Sequence, residues 1–114
     1  MDITSEKVGD VTVVVLEGDH LDASNTREFK RDLTALLPPG AKVVMDLGKV
    51  QFVDSSGCGA LLSCLKTLTE NHGDLKICQV NKYVRQVFDL IRLHRICDVF
   101  DTRDEAVKAF AAKV

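Results

Sequence analysis

Apolar and polar positions along this chain fall into alternating strand-like and helix-like stretches. Residues 3–8 and 11–17 read as two strands around Gly9-Asp10, a dipeptide suited to a tight hairpin turn. The second, Val11-Thr12-Val13-Val14-Val15-Leu16, is nearly all apolar and β-branched, as a buried central strand should be. Gly18 to Asp22 is then a polar loop. Phe29, Leu33, Leu36 and Leu37 recur at helical spacing until Pro38-Pro39-Gly40 stops the run, and Asn25, three residues before Glu28, has the spacing of a capping start. A third strand covers about 42–47. Cys58, Leu61, Leu62, Leu65 and Leu68 form the stripe of a second helix that ends near His72-Gly73, where glycine suits a left-handed cap. Leu75 to Val80 is a fourth strand, and Asn81 caps a third helix with Val84, Val87, Phe88 and Ile91 on one face. Ile96 to Phe100 supplies a short fifth strand. Thr102-Arg103-Asp104-Glu105 is spaced as a capping box and opens a last helix that carries Val107 and Phe110 inward.

The resulting order, β-β-α-β-α-β-α-β-α, predicts an α/β fold with a mixed, mostly parallel sheet of four to five strands and about four helices. With 114 residues the chain has room for one domain, 1–114, and one core. Its formal net charge is −2 and its lysines and arginines are scattered among acids, so the basic face that nucleic acid requires is missing. The longest apolar runs fall short of the roughly 18 residues of a membrane span, and the first residues, Met1-Asp2-Ile3-Thr4-Ser5-Glu6, lack a secretory pattern. The expectation is a cytoplasmic protein without direct membrane insertion. Cys58, Cys64, Cys78 and Cys97 form no C-x-x-C pair and read as small core hydrophobes. Cys58 stands out only because it falls in the first turn of the second helix, where a thiolate would be favoured.

The chemistry of interest lies between Lys42 and Cys64. An apolar strand, Val43-Val44-Met45-Asp46-Leu47, leads through Phe52-Val53 into Asp54-Ser55-Ser56-Gly57-Cys58-Gly59 and then into the second helix. Hydroxyls therefore sit where a strand hands over to a helix, the place where ligands and chemistry gather in α/β folds. Free N–H groups and the positive end of the helix dipole make such a place receptive to phosphate. No metal-ligand cluster or glycine-rich nucleotide loop accompanies it, so no cofactor is implied. A serine hydroxyl is a poor nucleophile without a base. Strand order would allow His20 to approach and form a Ser55-His20-Asp22 arrangement, but Gly-x-Ser-x-Gly is absent and no oxyanion loop is visible. The economical reading is a serine that receives a phosphate and performs no catalysis. Capping of the second helix by Ser55 or Ser56 is the structural alternative, and Asp54 either caps that helix itself or orients the Ser55 hydroxyl.

The stretch Asp54-Ser55-Ser56-Gly57-Cys58-Gly59, with Val44-Met45-Asp46-Leu47 and Phe52-Val53-Asp54 before it and Gly18-Asp19-His20-Leu21-Asp22 upstream, resembles the anti-sigma-factor antagonist family of the STAS domain superfamily. The resemblance runs over essentially the whole chain. It implies a STAS fold and a non-enzymatic role in partner switching. The unphosphorylated protein would bind a kinase-type anti-sigma factor and free the sigma factor. That serine kinase would then phosphorylate Ser55 and let go, and a metal-dependent serine phosphatase would restore binding. The implied partner surface takes in Asp22, Asp54, Ser55, Ser56, Gly57 and Cys58, with Gly57 and Gly59 keeping bulk away from an approaching active site. Three positions depart from the family pattern. One extra residue separates Gly18 from Asp22, Cys58 replaces the usual leucine, and Arg92 stands where a glycine is common. The resemblance equally admits a docking module of a sensory scaffold, or an accessory subunit of a lipid or anion transporter.

Overall fold

The structure, a computed structural model, describes residues 2–111. β1 (Ile3–Val8) and β2 (Val11–Leu16) form an antiparallel hairpin, and Gly9 at its turn takes φ +64, a value that glycine adopts without strain. There follow β3 (His20–Leu21), α1 (Thr26–Leu36), β4 (Lys42–Asp46), β5 (Phe52–Val53), α2 (Ser55–Glu70), β6 (Asp74–Cys78), α3 (Lys82–Leu90), a 3₁₀ turn (Leu93–Arg95), β7 (Val99–Phe100) and α4 (Arg103–Ala111). The main sheet has the order β1-β2-β4-β6-β7, parallel everywhere beyond the first hairpin. It is the mixed, mostly parallel α/β architecture expected from the sequence.

Alternation along the central strands divides the core into two layers, because successive side chains leave a strand on opposite faces. Val11, Val13, Val44 and Cys78 meet Ala106 and Phe110 of α4. Val14, Leu16, Val43, Met45, Leu75 and Ile77 meet the apolar stripes of α1, α2 and α3 on the other face. Two charges lie buried on the α4 side. The Lys76 ammonium is 2.9 Å from Asp98 and sits 4.8 Å over the Phe110 ring, so its burial is matched by a carboxylate and an aromatic face. The Asp46 carboxylate accepts hydrogen bonds from the Gly48 N–H (2.8 Å), the Gln79 amide (2.6 Å) and Arg103 (3.0 Å), which pins the start of α4 to the end of β4.

Several local expectations hold and others shift. Asn81 caps α3 through Val84 N–H at 2.7 Å, and Thr102 and Glu105 exchange the reciprocal bonds of a capping box. The fourth strand stops at Cys78 instead of Val80 because Gln79 turns to φ +61. The fifth is reduced to Val99–Phe100, since Ile96, Cys97 and Asp98 form the turn that leaves the 3₁₀ segment. At the end of α2 the left-handed residue is His72, at φ +66, and not Gly73. Gly73 is glycine for another reason, since a Cβ there would overlap the Ala41 carbonyl oxygen. Asn25 makes no side-chain cap for α1; its amide is used in the loop described next.

Candidate functional site

The segment from Gly18 to Asp22, expected to be an irregular loop, contains a strand. β3 pairs in parallel with β5, placing His20 beside Phe52 and Leu21 beside Val53. Only two residues long, β3 gives almost no periodic signal; its trace in the sequence is the lone apolar Leu21 between polar neighbours. Leu21 is fully buried. This second, two-stranded sheet carries the upstream loop to the amino end of α2.

Asn25 fixes the shape of that loop. Its Oδ1 accepts from Asp22 N–H at 3.0 Å and its Nδ2 donates to the His20 carbonyl at 2.9 Å. Asp54 then joins loop and helix. One carboxylate oxygen accepts from Gly57 N–H at 2.8 Å, capping α2, and the other from Ala23 N–H at 3.3 Å. The capping role thus belongs to Asp54, not to Ser55 or Ser56. Both serines are exposed, and their hydroxyls make no hydrogen bond to any described residue. Ser55 is the first residue of α2, where backbone N–H groups have no partner within the helix.

Gly57 and Cys58 lie beneath this turn. A Cβ on residue 57 would overlap the Leu21 carbonyl oxygen and fall 2.9 Å from Val53 Cγ1, so only glycine lets α2 approach β3 this closely. The expectation that Gly57 keeps the surface open for a visiting active site is therefore corrected: Gly57 is buried, and its missing side chain makes room inside. Gly59 is the glycine with open space above it. Burial pushes the Cys58 thiol up, and the Asp54 charge adds to the effect, so the helix terminus does not yield a thiolate there. All four cysteines are buried and free, with Cys64 pushed up to about 11 and Cys78 and Cys97 to about 12.

The three residues of the hydrolase alternative do not assemble. His20 Nδ1 is bonded to Asp19 at 2.8 Å, its Nε2 is 3.5 Å from Ser24 Oγ, and Asp22 accepts from the Ser24 backbone at 2.9 Å and from its hydroxyl. The hydrogen bond to Asp19 raises the His20 pKa above 6.5, while Ser24 holds the Asp22 carboxyl below its usual range. Beside Ser55 stands the Asp54 carboxylate, and its bond to the Ala23 N–H brings the Asp22 loop to the same helix end. The site is a hydroxyl on an exposed helix start, next to a carboxylate, and no base among the described residues is hydrogen-bonded to it. Beside it lies a feature that periodicity does not reveal: Phe52 and Tyr83 are half exposed and stacked, with ring centroids 6.1 Å apart.

A family profile described as the STAS domain matches residues 2–106. A Bordetella bronchiseptica protein named as an anti-sigma factor antagonist is 29% identical over 111 residues, covering 96% of this chain and 95% of its own. A crystal structure of a Thermotoga maritima protein so named superposes with a TM-score of 0.82 at 25% identity, over 94% of this chain and 92% of that one. At 18% identity, where likeness concerns the fold alone, the murine Slc26a9 anion transporter matches with a TM-score of 0.84 over 95% of this chain and 19% of its own.

Proposed function

This chain belongs to the STAS domain family, and we propose that it acts there as an anti-sigma factor antagonist switched by phosphorylation of Ser55. In this reading residues 1–114 are a single STAS domain. Its unphosphorylated form binds a kinase-type anti-sigma factor and releases the sigma factor. The kinase supplies ATP, magnesium and the catalytic base, so the chain itself needs only to present a hydroxyl on a rigid turn. The observation that carries the reading is the division of labour between neighbours: Asp54 caps the helix, which leaves the exposed Ser55 hydroxyl without a structural task. Relatives named as anti-sigma factor antagonists over nearly the whole chain support the role. The fold alone does not choose it, because a transporter contains the same fold.

The partner surface consists of Ser55, Ser56, Asp54 and the Asp22 turn, shaped from below by Gly57 and Cys58. Phosphate on Ser55 adds close to two negative charges beside Asp54. Like charges facing one another across an interface cost several kcal/mol, which releases the partner without refolding either protein. A metal-dependent serine phosphatase resets the switch. No reaction is assigned to this chain. The test is recovery of partners from the native cell on wild-type, Ser55→Ala and Ser55→Asp baits, read by mass spectrometry. A serine kinase of the anti-sigma type should be retained by the first two and lost from the third. Recovery of transporter or scaffold subunits, equally on all three baits, would replace this reading by a docking role.

A further inference from the structure

Away from Ser55, the carboxyl-terminal half of α1, the corner that follows it and the carboxyl-terminal half of α2 enclose an open groove of about 380 Å³. Its floor is apolar, made by Leu33, Leu37, Cys64 and Leu68. Its lining contains one charged residue, Lys30, and no carboxylate. Among the described residues no acid is paired with Lys30, whereas Lys42 is bonded to Asp10, Lys49 to Glu17 and Lys76 to Asp98. Lys30 is itself exposed and stands at the rim of the groove, where its charge acts on the buried Cys64 thiol.

These features narrow what would fit. The volume is more than twice the roughly 150 Å³ that accepts benzene in an engineered cavity, and it falls within the lower range of small-molecule sites. A small, wholly polar anion would leave the leucine floor wet. A neutral hydrocarbon would leave Lys30 unused, and an amine would be repelled by it. An apolar body with one anionic end matches both parts of the groove.

We propose that the α1–α2 groove is a binding site for a small amphipathic carboxylate, its apolar body on Leu33, Leu37 and Leu68 and its carboxylate at Lys30. This site does not depend on the assignment of Ser55. Octanoate is the probe, and 1-octanol, of the same chain length without the charge, is the comparison. Titration of the full chain, followed by amide NMR shifts and calorimetry, should show saturable octanoate binding with shifts centred on Leu33, Leu37, Cys64 and Leu68. Lys30→Ala, a change on the exposed surface, should weaken octanoate by about tenfold, the worth of one charge-assisted hydrogen bond, and leave octanol unchanged. Thr67→Trp, which fills the groove from its exposed rim, should block both ligands, and circular dichroism would confirm that the variant is folded. Failure of octanoate to saturate overturns the proposal. So do shifts centred elsewhere, equal affinity in Lys30→Ala, or undiminished binding in a folded Thr67→Trp.

Discussion

Gly57 lies directly against Leu21: a Cβ at residue 57 would overlap the Leu21 carbonyl oxygen, while at Gly59, two residues along the same helix, a Cβ would meet nothing within 4 Å. The two glycines of one motif therefore do different work, and alanine separates them. Gly57→Ala forces α2 off β3 and should cost about 1–3 kcal/mol, as overpacking does. Gly59→Ala removes a flexible residue from an exposed helical position and should gain about 0.5–1 kcal/mol. Denaturant midpoints of the two variants should move in opposite directions. Equal shifts would mean that α2 slides freely over β3.

Arg92 takes φ +57 between α3 and the 3₁₀ turn, a conformation that glycine adopts without strain. A left-handed conformation costs an ordinary L-residue roughly 1–2 kcal/mol, and glycine would remove that cost while adding about 0.4–1 kcal/mol of unfolded-chain entropy. Arg92→Gly should therefore leave stability equal to wild type or raise it by up to about 1.6 kcal/mol. A clear loss in the denaturant midpoint would show that the exposed guanidinium makes a contact that outweighs the backbone strain.

What the sequence reveals follows from the length over which each signal is repeated. The strand Val11 to Leu16 and the stripe from Cys58 to Leu68 repeat their pattern several times, and both elements stand where periodicity puts them. β3 and β5 have two residues each and no period to detect, yet their pairing brings the Asp22 loop to Ser55. Asn25 shows the limit of local rules: its spacing from Glu28 suits a cap, but the loop outbids the helix for its amide. The motif marked Gly57 as special, but attributed to an external partner a closeness that is met inside by Leu21. Interactions between distant residues, such as Asp46 with Arg103, leave no mark on either sequence neighbourhood.

His20 supplies a pH test of the loop. Its hydrogen bond to Asp19, with the charges of Asp22 and Asp19, raises its folded pKa above the ordinary 6.5. A raised value means that the folded loop holds the proton more tightly than the unfolded chain. The stabilising contribution is thus complete below pH 6.5 and disappears as pH rises through the folded value. An NMR titration of the His20 ring should give a value above 6.5 in the wild type that drops in Asp19→Asn. An unchanged titration in that variant would show that the pair does not persist in solution.

Ser55 and Asp54 are adjacent but should respond oppositely when stability and switching are measured together. Asp54 holds Gly57 and Ala23 N–H groups, so Asp54→Ala should cost about 0.5–2 kcal/mol, the usual loss of a cap. Ser55 is exposed with no hydrogen bond to another described residue, so Ser55→Ala should stay within about 0.5 kcal/mol of wild type. Leu65→Ala, in the buried stripe, sets the upper end at about 2–5 kcal/mol. With the cognate kinase and ATP, phosphate should map to Ser55 and spare Ser56, and the Ser55→Ala protein should remain unlabelled. Calorimetry against that kinase should find Ser55→Ala bound and Ser55→Asp weakened, since a carboxylate buried at the centre of a contact is costly and a missing hydroxyl is not. If Ser55→Ala instead unfolded as readily as Leu65→Ala, the serine would be part of the scaffold, and the switch would have to lie elsewhere on the domain.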